Sequence, residues 1–217
     1  DEVRAGLPEE VDLAFLPGLR GVSIRISTRA RAPTAAGLLD KAQAVLDPIV
    51  APYRIGMEKG NLVEAVADVL TSGSHTLAVA ESCTGGLVAK RITDLPGSSI
   101  YFRGGVIAYA DRVKLDLLGV EDTVLVENGA VSEAVAAGMA RGVAHLLDTD
   151  VGVGVTGIAG PGGGTPEKPV GTVWFAVVLK GRVCASHRVF SGDREAVRER
   201  ASQAALLLLY QMLADGP

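Results

Sequence analysis

Hydrophobic and polar positions alternate along two short runs near the start of the chain, Val11-Asp12-Leu13-Ala14-Phe15-Leu16 and Val22-Ser23-Ile24-Arg25-Ile26-Ser27. A period of two suits half-buried strands, and Pro17-Gly18 predicts the turn between them. The period then lengthens. Over residues 34–50, Leu38, Leu39, Ala42, Val45, Leu46 and Ile49 form one broad apolar stripe, as on an amphipathic helix. Pro48, Pro52 and Gly56 are expected to end it. This β-β-α unit, residues 1–55, is divided from the remainder by an expected boundary near 53–59.

Strand and helix patterns alternate in the second segment, residues 58–217. A helix is expected over 62–70 and a buried strand over 76–80. Residues 84–95 read as a helix stopped by Pro96-Gly97, 104–110 as a strand, and 111–118 as a helix closed by Gly119. Ser132 opens a long helix, with Glu133 in its first turn. Strands follow over 151–155, 171–179 and 183–190, the last two joined by the short connection Lys180-Gly181-Arg182. A final helix covers 194–214. This order predicts an α/β fold: a three-layer α/β/α sandwich with a mixed sheet, preceded by a small α+β domain.

Composition narrows the class. Aromatic residues are only 4% of the 217, and Ala, Val, Leu and Gly dominate, as in close-packed α/β enzymes. No apolar run approaches the roughly 20 residues a membrane helix needs. The start, Asp1-Glu2-Val3-Arg4, lacks the form of a signal peptide and an initiator Met, so a fragment or processed chain is expected. A formal charge of −4 gives no general attraction to nucleic acid. Two cysteines, Cys83 and Cys184, make no disulfide framework, and His75, His145 and His187 form no metal-ligand spacing with them. A reduced, cytoplasmic protein without a metal or cofactor is the expectation.

Ligands of open α/β sheets collect beyond the carboxyl ends of strands, and two loops there carry candidate chemistry. Glu81-Ser82-Cys83-Thr84-Gly85-Gly86 is a strand-to-helix turn able to expose a serine while helical N–H groups face an anion or oxyanion. The same residues equally suit plain helix capping by Ser82 or Thr84. The second loop, 155–164, has five glycines in eight residues from Gly157 to Gly164. It allows close backbone approach to a ligand, or serves as a flexible connector. Taken singly, Tyr109 reads as packing and Lys114 as a solvated charge. Cys83 rivals Ser82 as nucleophile.

Taken together, Ala80-Glu81-Ser82-Cys83-Thr84-Gly85-Gly86, Gly105-Val106-Ile107-Ala108-Tyr109 with Lys114, Gly129-Ala130-Val131-Ser132, Thr156-Gly157-Ile158-Ala159-Gly160-Pro161, Lys168-Pro169-Val170-Gly171-Thr172-Val173 and Phe190-Ser191-Gly192-Asp193-Arg194 resemble the CinA C-terminal family. Its members include the PncC nicotinamide-nucleotide amidohydrolases. Where the family often has Asp, this chain has Gly162. The N-terminal unit is similar to the KH-type middle domain of full-length CinA proteins, whose upstream domain is absent here. The stretch Pro17-Gly18-Leu19-Arg20-Gly21 has the wrong order for an RNA-clamping KH loop.

The resemblance implies metal-free hydrolysis of nicotinamide mononucleotide (NMN) to nicotinate mononucleotide and ammonia. Ser82, Tyr109 and Lys114 fall on the family's nucleophile, tyrosine and lysine. Cys83, Thr84, Gly85, Gly86, Thr156, Gly157, Gly160 and Arg198 are the expected substrate-binding residues. The N–H groups of Thr84 to Gly86 and the glycine loop are candidates for the phosphate, with Arg194, Arg198 or Arg200 as a charged clamp. A homodimer is also implied. The competing reading is a protein-interaction module associated with competence or DNA damage, with weak or no catalysis.

Overall fold

In the segment Val151-Gly152-Val153-Gly154-Val155 every second side chain is missing, so a strand built from it has one bare face. A neighbouring helix can lie directly on that backbone. The computed structural model, which describes residues 4, 6–18, 21–51 and 61–214, has this arrangement. The chain divides into two compact units, residues 1–55 and 56–217.

The first unit is an antiparallel hairpin, β1 (Val11–Gly18) and β2 (Gly21–Thr28), followed by helix α1 (Thr34–Val50). Both strands run further than the alternation suggested, so Pro17 and Gly18 belong to β1. Gly18 pairs with Gly21 across the ladder. Residues 19 and 20, between them, lie outside the described set. Pro48 does not end α1 but sits within its last turn. Pro52, Gly56 and the expected boundary at 53–59 lie outside the described residues.

The described residues of the second unit form twelve further elements around one sheet. In chain order these are α2 (Leu62–Ser72), β3 (Leu77–Glu81), α3 (Leu87–Thr93), a 3₁₀ turn (Ser98–Ile100), β4 (Phe102–Ile107), α4 (Asp111–Asp116) and α5 (Asp122–Asn128). Then come α6 (Glu133–Leu146), β5 (Val151–Gly157), β6 (Thr172–Leu179), β7 (Arg182–Val189) and α7 (Arg194–Ala214). The sheet order is β4-β3-β5-β6-β7, with β4, β3 and β5 parallel and β6 and β7 antiparallel to their predecessors. It is the mixed sheet expected, with helices on both faces. Two elements escaped the sequence reading: α5 and the 3₁₀ turn, both too short to establish a period.

Helix α6 covers one face. Its Val135, Met139 and Val143 pack with Ala78 and Ala80 of β3, and Ala136, Ala137 and Ala140 with Ala176 and Val178 of β6. Over β5 the approach is closer still. A Cβ on Gly152 would stand 2.0 Å from the carbonyl oxygen of Ala140, and one on Gly154 2.1 Å from that of Ala136. The opposite face, with Val151, Val153 and Val155, lies on the side covered by α7. There Val197, Ala201, Ala205 and Leu209 of α7 are fully buried at a helical spacing of four, and the helix also packs against α2 and α3.

Helix ends follow local chemistry. Asn61 caps α2 by accepting from the N–H groups of Val63 and Glu64, while Glu64 accepts from the N–H of Asn61. Ser132 caps α6 as predicted, accepting from Val135. In the β6–β7 connection Lys180 and Gly181 both have positive φ, 48° and 85°, the combination a tight two-residue hairpin turn needs. No described helix is long and apolar enough to cross a membrane.

Gly154→Ala is expected to destabilise the fold by about 1–3 kcal/mol, the usual cost of overpacking a core. Gly162→Ala, where a Cβ meets nothing within 4 Å, should change stability little. Urea unfolding of the two variants beside the parent checks both.

Candidate active site

The carboxyl ends of β3, β4 and β5 lie level, because Glu81 pairs with Ile107 on one side and Val155 on the other. The ladder continues one step into the turn. The Ala108 N–H donates to the Glu81 carbonyl at 2.7 Å, and the Ser82 N–H donates to the Val155 carbonyl at 2.9 Å. Ser82 and Ala108 therefore begin two adjacent loops, beside which β5 runs on through Thr156 to Gly157. Ser82 is held by its backbone against the neighbouring strand and is 8% exposed.

After Ser82 the chain does not enter a helix directly. Residues 83–86 form turns, Gly85 and Gly86 take φ values of 60° and 94°, and α3 begins only at Leu87. This corrects the expectation of a helix from residue 84. The expected free N–H groups are also engaged: Gly85 donates to the Ser82 carbonyl at 3.1 Å, and Gly86 to the Glu81 carboxylate at 3.0 Å. Glu81 further accepts from Val88 at 3.1 Å and Ala89 at 2.8 Å. Its fully buried carboxylate thus occupies the start of α3, where the helix dipole and unpaired N–H groups favour negative charge. A substrate phosphate has no place there.

The same observation removes the simplest alternative. Neither Ser82 nor Thr84 caps α3, since no side chain at its N-cap position does so, and Glu81 supplies the acceptors. The Thr84 hydroxyl is buried without a hydrogen-bond partner, while its carbonyl accepts from Nη2 of Arg198 at 2.8 Å. In the sequence, the mark of Glu81 is an acid closing an otherwise apolar strand, Leu77-Ala78-Val79-Ala80, just before the Gly85-Gly86 turn. Cys83 is 5% exposed, and burial, the largest influence, pushes its thiol up to about 12. A thiol so protonated is a poor nucleophile.

Lys114 overturns the reading of a solvated charge. It is 1% exposed, among the largest fully buried side chains of the protein, and lies one helical turn into α4. Its Nζ donates to Oδ1 of Asp111 at 2.8 Å, and Asp111 is half exposed. Tyr109, by contrast, is 61% exposed. Its hydroxyl accepts from Nη2 of Arg194 at 3.0 Å, and Nη1 of the same guanidinium donates to the Gly160 carbonyl at 2.7 Å.

The glycine loop is tied down. Lys168 donates to the Asn128 carbonyl at 2.8 Å on one flank and Arg194 holds Gly160 on the other. At the loop's end a Cβ on Gly171 would stand 1.9 Å from the Phe190 carbonyl oxygen. The connector reading does not survive these contacts. Thr156 is buried, and its hydroxyl donates to the Ala130 carbonyl at 2.7 Å. Gly157 belongs to β5 and pairs with Val173. Arg200 donates to the Ser191 carbonyl, so all three clamp candidates on α7 bond backbone carbonyls.

A separate cleft of about 600 Å³ lies between α6 and β6–β7, lined by Ser132, Arg141, Lys168 and Trp174 among others. None of Ser82, Tyr109 and Lys114 lines it. The chemistry at the carboxyl ends of β3 and β4 marks the better candidate site.

Two outcomes test this geometry. Ellman's reagent at pH 8 should titrate one thiol in the native protein, the exposed Cys184, and two after denaturation; rapid reaction of both native thiols would contradict the burial of Cys83. Glu81→Gln should lower stability by about 1–3 kcal/mol in urea unfolding, because its amide group turns a donor toward N–H donors.

The matched family for residues 59–213 is described as the CinA C-terminal domain. A CinA-like protein from Gemmatimonas aurantiaca is 47% identical over 195 residues, covering 89% of this chain and 46% of that protein. One from Syntrophotalea carbinolica is 40% identical over 212 residues, covering 98% and 51%. The chain thus spans about half the length of these relatives. Among solved structures, the competence damage-inducible protein A of Klebsiella pneumoniae superposes with a TM-score of 0.70 at 35% identity, covering 72% of this chain and 97% of that one. A CinA superfamily protein of Escherichia coli gives 0.68 at 34%, covering 75% and 98%. With most of its length matched and its relatives well above 30% identical, the chain belongs to the CinA C-terminal domain family.

Proposed function

We propose that the chain hydrolyses the carboxamide of NMN, giving nicotinate mononucleotide and ammonia, with Ser82 as nucleophile. The observation that carries this reading is the burial of Lys114. Removing a lysine side chain from water is costly, and a solvated helix face would serve stability as well. An amine kept dry one turn into α4, the helix that follows β4 beside the strand that delivers Ser82, suits proton transfer.

The steps follow from these groups. Lys114 is the general base that takes the proton of the Ser82 hydroxyl as the serine oxygen bonds to the carboxamide carbon. The oxygen of the tetrahedral adduct takes hydrogen bonds from backbone N–H groups at Cys83 and Thr84, which directly follow the nucleophile. The C–N bond then breaks, and nitrogen leaves as ammonia with a proton supplied through Tyr109. Water hydrolyses the resulting ester and restores Ser82. The protonated thiol of Cys83 supports serine over cysteine. The phosphate is assigned to the glycine loop and Arg198, since Glu81 already fills the start of α3.

Ammonia release from NMN tests the assignment. Ser82→Ala should abolish it with the fold intact, whereas Cys83→Ala should retain it; the reverse pattern would move the nucleophile to Cys83. Lys114→Met should lower kcat on the order of a hundredfold or more with a small change in KM, as for loss of a general base. Normal turnover in that variant would remove Lys114 from the chemistry.

A further inference from the structure

Tyr109 is a poor candidate for a proton carrier on burial alone. It is well exposed, and an exposed phenol samples several rotamers unless something holds it. Among the described residues its hydroxyl bonds to the Nη2 of Arg194, reached across 85 positions of sequence. The other amino nitrogen of Arg194 is fixed on the Gly160 carbonyl. A planar guanidinium with two separate nitrogens on two partners sets a direction as well as a distance. We propose that Arg194 is a positioning residue that acts through Tyr109, holding the phenol at the site and aiming its proton. The inference rests on the Ser82–Lys114–Tyr109 reading above.

The aiming follows from donor and acceptor arithmetic. Arg194 has N–H donors only, so in this pair the phenol oxygen must accept. The phenolic proton is thereby turned away from Arg194 and is available to another acceptor. In the collapse of the tetrahedral adduct that acceptor is the departing nitrogen. The C–N bond breaks, its electron pair goes to nitrogen, nitrogen takes the phenolic proton, and the carbonyl reforms. The phenolate oxygen, held by Arg194, then recovers a proton from the Lys114 ammonium, which had received it from Ser82. Protons balance over the cycle.

Three neighbouring contacts fit a positioning role. Arg194 and Arg198 stand four residues apart on α7, hence on one face. Arg198 holds the Thr84 carbonyl in the turn after β3, while Arg194 holds Tyr109 after β4 and Gly160 after β5. The first turns of α7 therefore set the three loops relative to one another. A lysine at 194 has a single terminal nitrogen and could not reproduce two divergent contacts.

A double-mutant cycle on NMN hydrolysis tests the inference, using the parent, Arg194→Met, Tyr109→Phe and the double variant. Arg194→Met is expected to reduce kcat about tenfold or more, within the range for a displaced acid–base group, with KM nearly unchanged. In the Tyr109→Phe background the same change should cost nothing further, because the group it acts through is gone. Arg194→Lys should recover only part of the loss. Multiplying losses would overturn the proposal, since Arg194 would then act independently of Tyr109. A raised KM at unchanged kcat would also overturn it, marking Arg194 as a contact of the substrate anion. A parent protein that releases no ammonia would refute the underlying reading, and this inference with it, a result distinct from either. Thermal unfolding of each variant shows whether a loss reflects misfolding.

Discussion

Three N–H groups converge on the Glu81 carboxylate, and the geometry of the site depends on that convergence. A buried carboxylate is tolerable only with such donors around it. Here the donors belong to the chain five to eight residues on, so solvating the acid and folding the turn are one event. The turn from Ser82 to Gly86 must close tightly enough to bring Gly86, Val88 and Ala89 back to the strand end, and the two left-handed glycines make that closure possible. Ser82 is left at the apex with its backbone fastened to β5.

The division of labour around this turn is physical. The acid organises the backbone; the buried amine of Lys114 bonds Asp111; the guanidinium groups of α7 hold carbonyls and a phenol oxygen. Each charge type stands where its hydrogen-bonding capacity fits. Arginine, with several donors in a rigid plane, ties loops together. Lysine, compact and with one terminal nitrogen, sits in the dry interior with Asp111. Cysteine, stripped of water, is left protonated beside the serine.

Much of the fold could be read in the sequence because periodicity survives wherever an element buries one face. Helix α1 and the final helix α7 kept their expected ranges, and the strands shifted by one or a few residues. The failures have a common cause. Helix α3 begins three residues late because Glu81, a residue outside the helix, dictates its start. Pro48 sits inside α1 at the loss of one bond to the carbonyl four residues back, and only two helical residues follow it. Helix α5 is seven residues long, too short for a stripe. At the site, motif order singled out Ser82, Tyr109 and Lys114, but neither the burial of Lys114 nor the partner of Tyr109 could be read locally. Arg194 lies 85 residues from Tyr109 and is joined to it only by folding.

The contact of α6 with β5 bears on how such a protein can change over evolutionary time. Where side chains fill an interface, a substitution can be absorbed by a compensating one across the gap. Between Gly154 and Ala136 the surfaces are main chain, and no neighbouring side chain can shrink to make room. Any added atom must lift the helix as a rigid body. Its first residue adjoins Ser132, and the Gly129–Ser132 segment carries the Ala130 carbonyl that receives Thr156. A silent-looking drift from glycine to alanine in the core would therefore be felt as misalignment at the mouth of the site, and selection on that site would police a position that lies outside it.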